Sequence, residues 1–176
     1  GYPLTIDGST DYAYAKRSDT VSHPISQSRL NETAKPYAVW SPDSRWIATF
    51  RMDQRNVTTL YLLQYAPGNG SRPRVWDYRF AMPNAKTVPI YEPLVIDLRN
   101  GRAVPISYKP QPEVSLMDTD ENVLQWWSDD GRTLYSLYAE RGEKVLRLLK
   151  TEPDNGETEE ILEEGGSTYV EANLDY

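Results

Sequence analysis

An all-β fold built of antiparallel meanders is predicted by three observations. Helical signals are nearly missing, because 13 prolines run from Pro3 to Pro153 and few ten-residue stretches lack Pro, Gly or an Asn/Asp turn. Short β-branched and aromatic runs alternate with turn residues along the whole chain. Lastly, one strand–turn–strand unit occurs twice.

The strands are read in order. Val39-Trp40, Trp46 to Phe50, Thr59 to Tyr65, Val75 to Phe80 and Leu94 to Leu98 fill the first half, with Val123 to Trp127, Thr133 to Tyr138, Val145 to Leu149 and Glu160 to Leu162 in the second. Between them stand hairpin punctuation marks: Pro42-Asp43-Ser44, Pro67 to Gly70, Arg99-Asn100-Gly101, Asp129-Asp130-Gly131, Glu140-Arg141-Gly142 and Asp154-Asn155-Gly156. Tyr138 to Lys150 also fits a short helix, but Arg141-Gly142 favours a hairpin there.

The repeat names the architecture. Val39-Trp40-Ser41-Pro42-Asp43-Ser44-Arg45-Trp46-Ile47-Ala48 aligns with Trp126-Trp127-Ser128-Asp129-Asp130-Gly131-Arg132-Thr133-Leu134-Tyr135, so Trp127 falls 87 residues after Trp40. In each copy a Trp closes a strand, Ser-x-Asp turns the chain through its side-chain oxygens, and a new apolar strand begins. This pattern predicts a partial β-propeller of antiparallel four-stranded blades, each unit about 40–45 residues long. The first copy is oversized, and its surplus is assigned to an insertion or extended outer hairpin around Pro67 to Pro93. Weaker blade junctions are read at Leu4 to Gly8 with Tyr12-Ala13-Tyr14, and at Ile161 to Gly166 with Thr168-Tyr169-Val170. The expected layout is a fragment of a propeller domain over 1–176: a junction over 1–36, a long blade about 37–110, a blade about 111–166, and the start of another over 167–176. By length alone, three to four blades are expected. Both ends are expected to be cut from something longer, leaving open strand edges at Thr168-Tyr169-Val170 or the first strand for self-association.

Composition excludes several functions. Nineteen Lys and Arg face 26 Asp and Glu, for a net charge of −7, and the cations are scattered. Nucleic-acid and anionic-membrane partners need a basic footprint that is missing here. No apolar run nears the roughly 20 residues that span a bilayer, and the start at Gly1-Tyr2-Pro3 has neither a basic nor an apolar leader region. The chain has no Cys, so thiolate chemistry is excluded.

Catalytic and cofactor chemistry finds no foothold, and catalytic, metal and cofactor sites are all expected to be none. There is no Gly-x-Ser-x-Gly, and the one imidazole, His23, is expected to be a solvated loop residue. Glu152, Asp154, Glu157, Glu159, Glu160, Glu163 and Glu164 are expected to form a solvated hairpin face rather than an acid/base pair. Asp118 to Asn122 offers alternating oxygen ligands but lacks the glycine and late Glu of a calcium loop, and Gly68-Asn69-Gly70-Ser71 lacks the Lys of a phosphate cradle. Asn31-Glu32-Thr33, Asn56-Val57-Thr58 and Asn69-Gly70-Ser71 match the glycosylation acceptor pattern.

The stretch from Trp40 to Ala48 resembles the Trp-Ser-Pro-Asp-Gly signature of TolB-like and prolyl-oligopeptidase-clan propellers. Together with Leu4-Thr5-x-Asp7-Gly8, Tyr12-x-Tyr14, Phe50 to Asp53, Val57, Tyr78 to Pro83, Val88-Pro89 and Leu94 to Asp97, it looks like the N-terminal propeller region of dipeptidyl peptidase IV-type serine peptidases. The resemblance implies a secreted or periplasmic parent with a C-terminal α/β-hydrolase domain, and a propeller that gates and helps bind peptide substrates. It also implies an acidic Glu-Glu pair, directly after an Asp-aromatic-x-Tyr element, that captures the substrate ammonium. Asp11-Tyr12-Ala13-Tyr14 matches the element, but Ala15, Lys16 and Arg17 follow it, so no substrate contact is carried over. Rival expectations are a TolB-like propeller acting as a protein-interaction module and a carbohydrate-active propeller.

Overall fold

A computed structural model describes residues 3–20, 23–31, 35–67, 72–113 and 125–170. Among these residues twelve strands and one helix follow in order: β1 (Tyr12–Tyr14), α1 (Pro24–Leu30), β2 (Val39–Trp40), β3 (Trp46–Asp53), β4 (Thr59–Gln64), β5 (Arg74–Arg79), β6 (Ile90–Asp97), β7 (Arg102–Pro105), β8 (Gln111–Pro112), β9 (Gln125–Trp127), β10 (Leu134–Ala139), β11 (Val145–Thr151) and β12 (Thr158–Gly165). Every strand pairing among the described residues is antiparallel. The fold is that of a partial propeller of antiparallel blades.

The first blade is four strands deep but uses six to get there. β3 and β6 pair over eight residues, Trp46 opposite Asp97 through Asp53 opposite Ile90. On the far side of β3, β2 covers Ile47 and Ala48 while β1 covers Arg51 to Asp53. On the far side of β6, β7 covers Leu94 to Asp97 and β8 covers Ile90 and Tyr91. Each outer layer is thus two short strands laid end to end. The second blade is a regular meander, β12-β11-β10-β9, with one register shift between Leu148 and Leu149.

The larger of two buried apolar clusters among the described residues lies between the blades, the smaller, Phe50, Met52 and Tyr91, within the first. Trp46, Ala48, Val95, Val104 and Ile106 of the first blade meet Trp127 and Leu134 of the second in one buried cluster. Burying such side chains contributes about 1.5–3 kcal/mol each. Polar contacts fix the same seam: the Trp127 indole N–H donates to the Val39 carbonyl at 3.0 Å, and the Ser107 N–H donates to the Gly156 carbonyl at 2.8 Å. Tyr108 sets its ring edge-on to Tyr138 at 4.9 Å and donates its hydroxyl to Glu160 at 2.9 Å. Burial first, then this bond to a carboxylate, pushes the Tyr108 hydroxyl up to about 12. At Gly156, φ is +77° and an added Cβ would sit 2.1 Å from the Pro105 carbonyl oxygen, so only glycine fits this turn.

Four expectations are corrected. A helix does form: Pro24 occupies its first turn, where the missing N–H costs nothing, and Asn31 ends it in the left-handed conformation at φ 53°. His23 stands just ahead of that helix, half-buried rather than solvated. The first blade's surplus begins at Gln54, earlier than expected, and β4 and β5 form a separate two-stranded sheet within it. That excursion absorbs the length expected to supply further blades, so the described residues hold two blade sheets.

Tyr138 to Lys150 forms the expected hairpin, Ala139 pairing with Leu146 across the turn. Thr168 to Val170 forms no strand; the Val170 N–H donates to the Glu143 carbonyl at 2.8 Å. Gly68 to Ser71, Asp118 to Asn122, Val123, Leu124, Glu32, Thr33 and residues 171–176 lie outside the described residues.

Candidate functional site

The segment that carries Asp11, Tyr12, Ala15, Lys16 and Arg17 runs along the free margin of β3. β1 sets Tyr12 opposite Asp53 and Tyr14 opposite Arg51. At Ala15 the backbone turns through φ 56°, unusual for a residue with a Cβ, and is held on both sides: its N–H donates to Phe50 at 2.9 Å and its carbonyl accepts from Tyr37 at 2.8 Å. The chain then crosses to β5 and α1 as a strap.

Around β1 the charges neutralise one another. Arg51 donates to Asp7 at 2.9 Å and to Glu92 at 3.2 Å, and its guanidinium lies 4.1 Å from the centre of the Tyr12 ring. Arg55 covers that ring at 3.8 Å while making a two-pronged contact with Asp53 at 2.9 and 2.7 Å. The pairing holds the Asp53 carboxyl below its ordinary range. Tyr12 donates to Glu92 at 3.0 Å and Tyr14 to Asp7 at 2.9 Å; burial, then these carboxylates, raises both hydroxyls. Arg51 and Glu92 are direct cross-strand partners in β3 and β6.

The strap beyond Ala15 is likewise paired. Lys16 forms an ion pair with Asp19 at 3.0 Å. Asp19 also accepts from the Arg79 N–H at 3.3 Å through its second oxygen, and its own N–H donates to Gln54 at 3.1 Å. Asp11 takes two bonds from the Arg79 guanidinium, at 3.0 and 2.7 Å. Ser18 is fully buried and donates to Glu113. His23 shares a 2.9 Å hydrogen bond between Nε2 and the Tyr78 hydroxyl, whose direction depends on the tautomer, with the two rings edge to face at 4.8 Å. Arg79 and Tyr78 thereby tie the base of the β4–β5 hairpin to the strap.

The acidic hairpin face forms along β12, largely exposed as expected. Several of its acids are nonetheless used structurally. Arg147 contacts Glu140 at 2.6 Å, Glu163 at 2.9 Å and Glu160 at 3.3 Å, and Asp154 holds Arg45 of the first blade at 2.6 Å. Asn56 of the second acceptor triplet sits exposed in the turn after β3, with Val57 buried beside it.

The sequence profile described as the dipeptidyl peptidase IV N-terminal region matches residues 32–176. Among curated proteins there is no match. Among solved structures, a chain designated dipeptidyl aminopeptidase IV from Bacteroides ovatus superimposes with a TM-score of 0.65 at 18% identity, covering 95% of this chain and 21% of its own length. Porphyromonas gingivalis dipeptidyl peptidase 4 gives a TM-score of 0.67 at 13% identity, covering 95% of this chain and 22% of its own. This chain thus spans about a fifth of the length of those proteins. The strap residues Asp11 to Arg17 lie ahead of the stretch that the family profile matches.

Proposed function

The chain belongs to the dipeptidyl peptidase IV N-terminal region family, and from that premise we propose that it is the non-catalytic propeller portion of a secreted or periplasmic serine peptidase. Its long first blade, about 37–110 with β1 and β8 added to its sheet, and its second, about 111–166, follow a junction over 1–36 and precede the start of another blade over 167–176, and they stand in the parent beside a C-terminal α/β-hydrolase domain that carries the nucleophile. The propeller gates the approach of peptide substrates to that domain and helps bind them. The observation that carries this reading is the repeated Ser-x-Asp turn, in two blades packed side by side, within a chain that holds no Gly-x-Ser-x-Gly. No helix among the described residues is long and apolar enough to cross a membrane.

The strap refines the substrate expected. Where the family pair would present two carboxylates to a substrate ammonium, Ala15 turns the backbone and Lys16 is paired with Asp19. An N-terminal ammonium gains no charge-assisted contact from these positions. The parent is therefore expected to turn over N-terminally blocked peptides at least as well as free Xaa-Pro dipeptide substrates. Chromogenic assays of the complete parent test this, with and without Lys16→Glu and Arg17→Glu. A strong preference for the free N-terminus in the unsubstituted enzyme overturns the strap assignment. Absence of any peptidase activity, with no Gly-x-Ser-x-Gly downstream of Tyr176, overturns the peptidase reading itself.

A further inference from the structure

We infer that Trp40 docks on the blade ahead of this one in the parent, its indole N–H donating to a backbone carbonyl of that blade's first strand. The inference rests on the propeller reading of the chain and not on the peptidase reading. What carries it is the use made of the equivalent Trp127. That side chain is buried in the cluster between the blades and donates its indole N–H to the Val39 carbonyl at 3.0 Å. Trp40 is 58% exposed, and no protein group among the described residues takes its N–H.

The two tryptophans hold the same place in their blades. Each ends a strand immediately before the serine of a Ser-x-Asp turn. Trp127 stands opposite Leu134, and Trp40 stands opposite Ile47. Residues directly opposite across a pair of strands share a face, and successive residues along a strand alternate faces. Val39, opposite Ala48, packs on the shared cluster and so faces the second blade, while Trp40 and Ile47 face the other way. Trp127 and Leu134, in that same cluster, face back to the first blade. The second blade therefore turns its tryptophan toward the blade ahead of it, and the first blade turns Trp40 toward the equivalent position on its own far side.

The occupant of that position follows from the repeat. Stacked repeats bury between neighbours a face that one unit cannot bury alone, and a propeller sets such units around one axis. The interface described here seats the later blade's tryptophan on the first strand of the earlier one. On the far side of the first blade Ile47 and Ile96 are already buried, so the open part of this face is the Trp40 ring at the β2 margin of the sheet. The first strand of another blade offers what the ring lacks there: an apolar surface, and a carbonyl for an N–H that takes a partner when buried. The chain spans about a fifth of the length of the solved proteins it superimposes on, so a parent of that size has residues for such a blade.

The complete parent provides the test. Hydroxyl-radical footprinting of the unsubstituted protein should oxidise Trp40 several-fold more slowly when folded than in urea, and at a rate close to that of Trp127. Trp40→Phe keeps a ring and removes the N–H, leaving a buried carbonyl without its donor; it should lower the melting temperature about as much as Trp127→Phe does. A benzophenone amino acid at position 40 should crosslink on irradiation to residues ahead of Gly1. Oxidation of Trp40 at nearly its unfolded rate overturns the inference, and so does a crosslink to the hydrolase domain or to a second copy. Melting unchanged by Trp40→Phe but lowered by Trp127→Phe overturns the hydrogen bond. A parent with no blade ahead of Gly1 removes the occupant itself. Peptidase activity, present or lacking, moves none of these readouts, so the two readings fail separately.

Discussion

The two copies of the Ser-x-Asp turn are nearly superimposable in chemistry and differ in what lies beside them. In the first, the Ser41 hydroxyl donates to Asp43 at 2.6 Å and accepts from the Trp46 N–H at 2.9 Å, while Asp43 accepts from the Arg45 N–H at 3.1 Å. In the second, the corresponding bonds run from Ser128 to Asp130 at 2.7 Å, Thr133 to Ser128 at 3.0 Å and Arg132 to Asp130 at 3.1 Å. The hydroxyl, then the backbone N–H, lowers both carboxyls. Both copies need a residue in the left-handed region, Ser44 at φ 58° and Gly131 at φ 68°. The serine is tolerated because Ser44 is exposed. The glycine is required because Gly131 is buried against the first turn, where a Cβ would meet the Asp43 carboxylate at 3.3 Å. Local hydrogen bonds thus make the turn, and the neighbouring blade decides how strictly its residues are specified.

The equivalent tryptophans show the largest difference. Trp127 is 9% exposed in the seam, whereas Trp40 is 58% exposed. Trp127→Ala is expected to cost about 3–5 kcal/mol and Trp40→Ala under about 1, measured by urea unfolding of the chain. Equal costs would break the comparison.

Next comes the turn between the third and fourth strands of each blade. Gly156→Ala meets the Pro105 carbonyl and a forbidden φ together, so a loss of about 3 kcal/mol or more is expected. Gly101, at φ 71° with nothing within 4 Å of its missing Cβ, should lose only about 1–2 kcal/mol on change to Ala. A Gly156→Ala cost no greater than that of Gly101→Ala would show that the seam yields easily.

Acid sharpens the comparison at a second point of the same rim. Asp97 is held down to about 2, first by the Arg99 guanidinium bonded to it and also by Arg45 nearby. A depressed carboxyl stabilises the fold above its ordinary range near 4 and loses that contribution as pH falls through about 2. Stability should therefore drop between pH 4 and 2, and Asp97→Asn should flatten that part of the pH profile. An unchanged profile would remove Asp97 from the acid transition.

Legibility in the sequence followed the same division between local and distant causes. The turns were readable because their bonds span two to five residues. The full length of β3 was hidden by Arg51 and Asp53, which interrupt an apolar run and are neutralised by Asp7, Glu92 and Arg55. The start of β6 was hidden by Pro93, which falls at the break where β8 gives way to β7 and is tolerated there. Asp11-Tyr12-Ala13-Tyr14 was visible as a motif, but its ring of partners comes from β3, β5 and β6, up to 80 residues away. The cross-strand match of Arg51 with Glu92 is a signal only once the β3–β6 register is known. α1 was missed because its one strong start signal, Pro24, also reads as a breaker.

The smallest expected effect probes whether Ser44 really is the relaxed copy. Ser44→Gly removes the cost of a Cβ in the left-handed region, about 1–2 kcal/mol, and gives back part of it as extra freedom in the unfolded chain, up to about 1 kcal/mol. A net gain of under about 1 kcal/mol is expected. Gly131→Ala should cost about 1–2 kcal/mol, and Asp43→Ala beside it should recover some of that loss, because the shortened side chain vacates the space the new Cβ needs. The double substitution separates contact from backbone strain: full additivity would mean that Gly131 is specified by φ alone. A recovery of even half a kcal/mol would mean that the first blade selects the second blade's glycine.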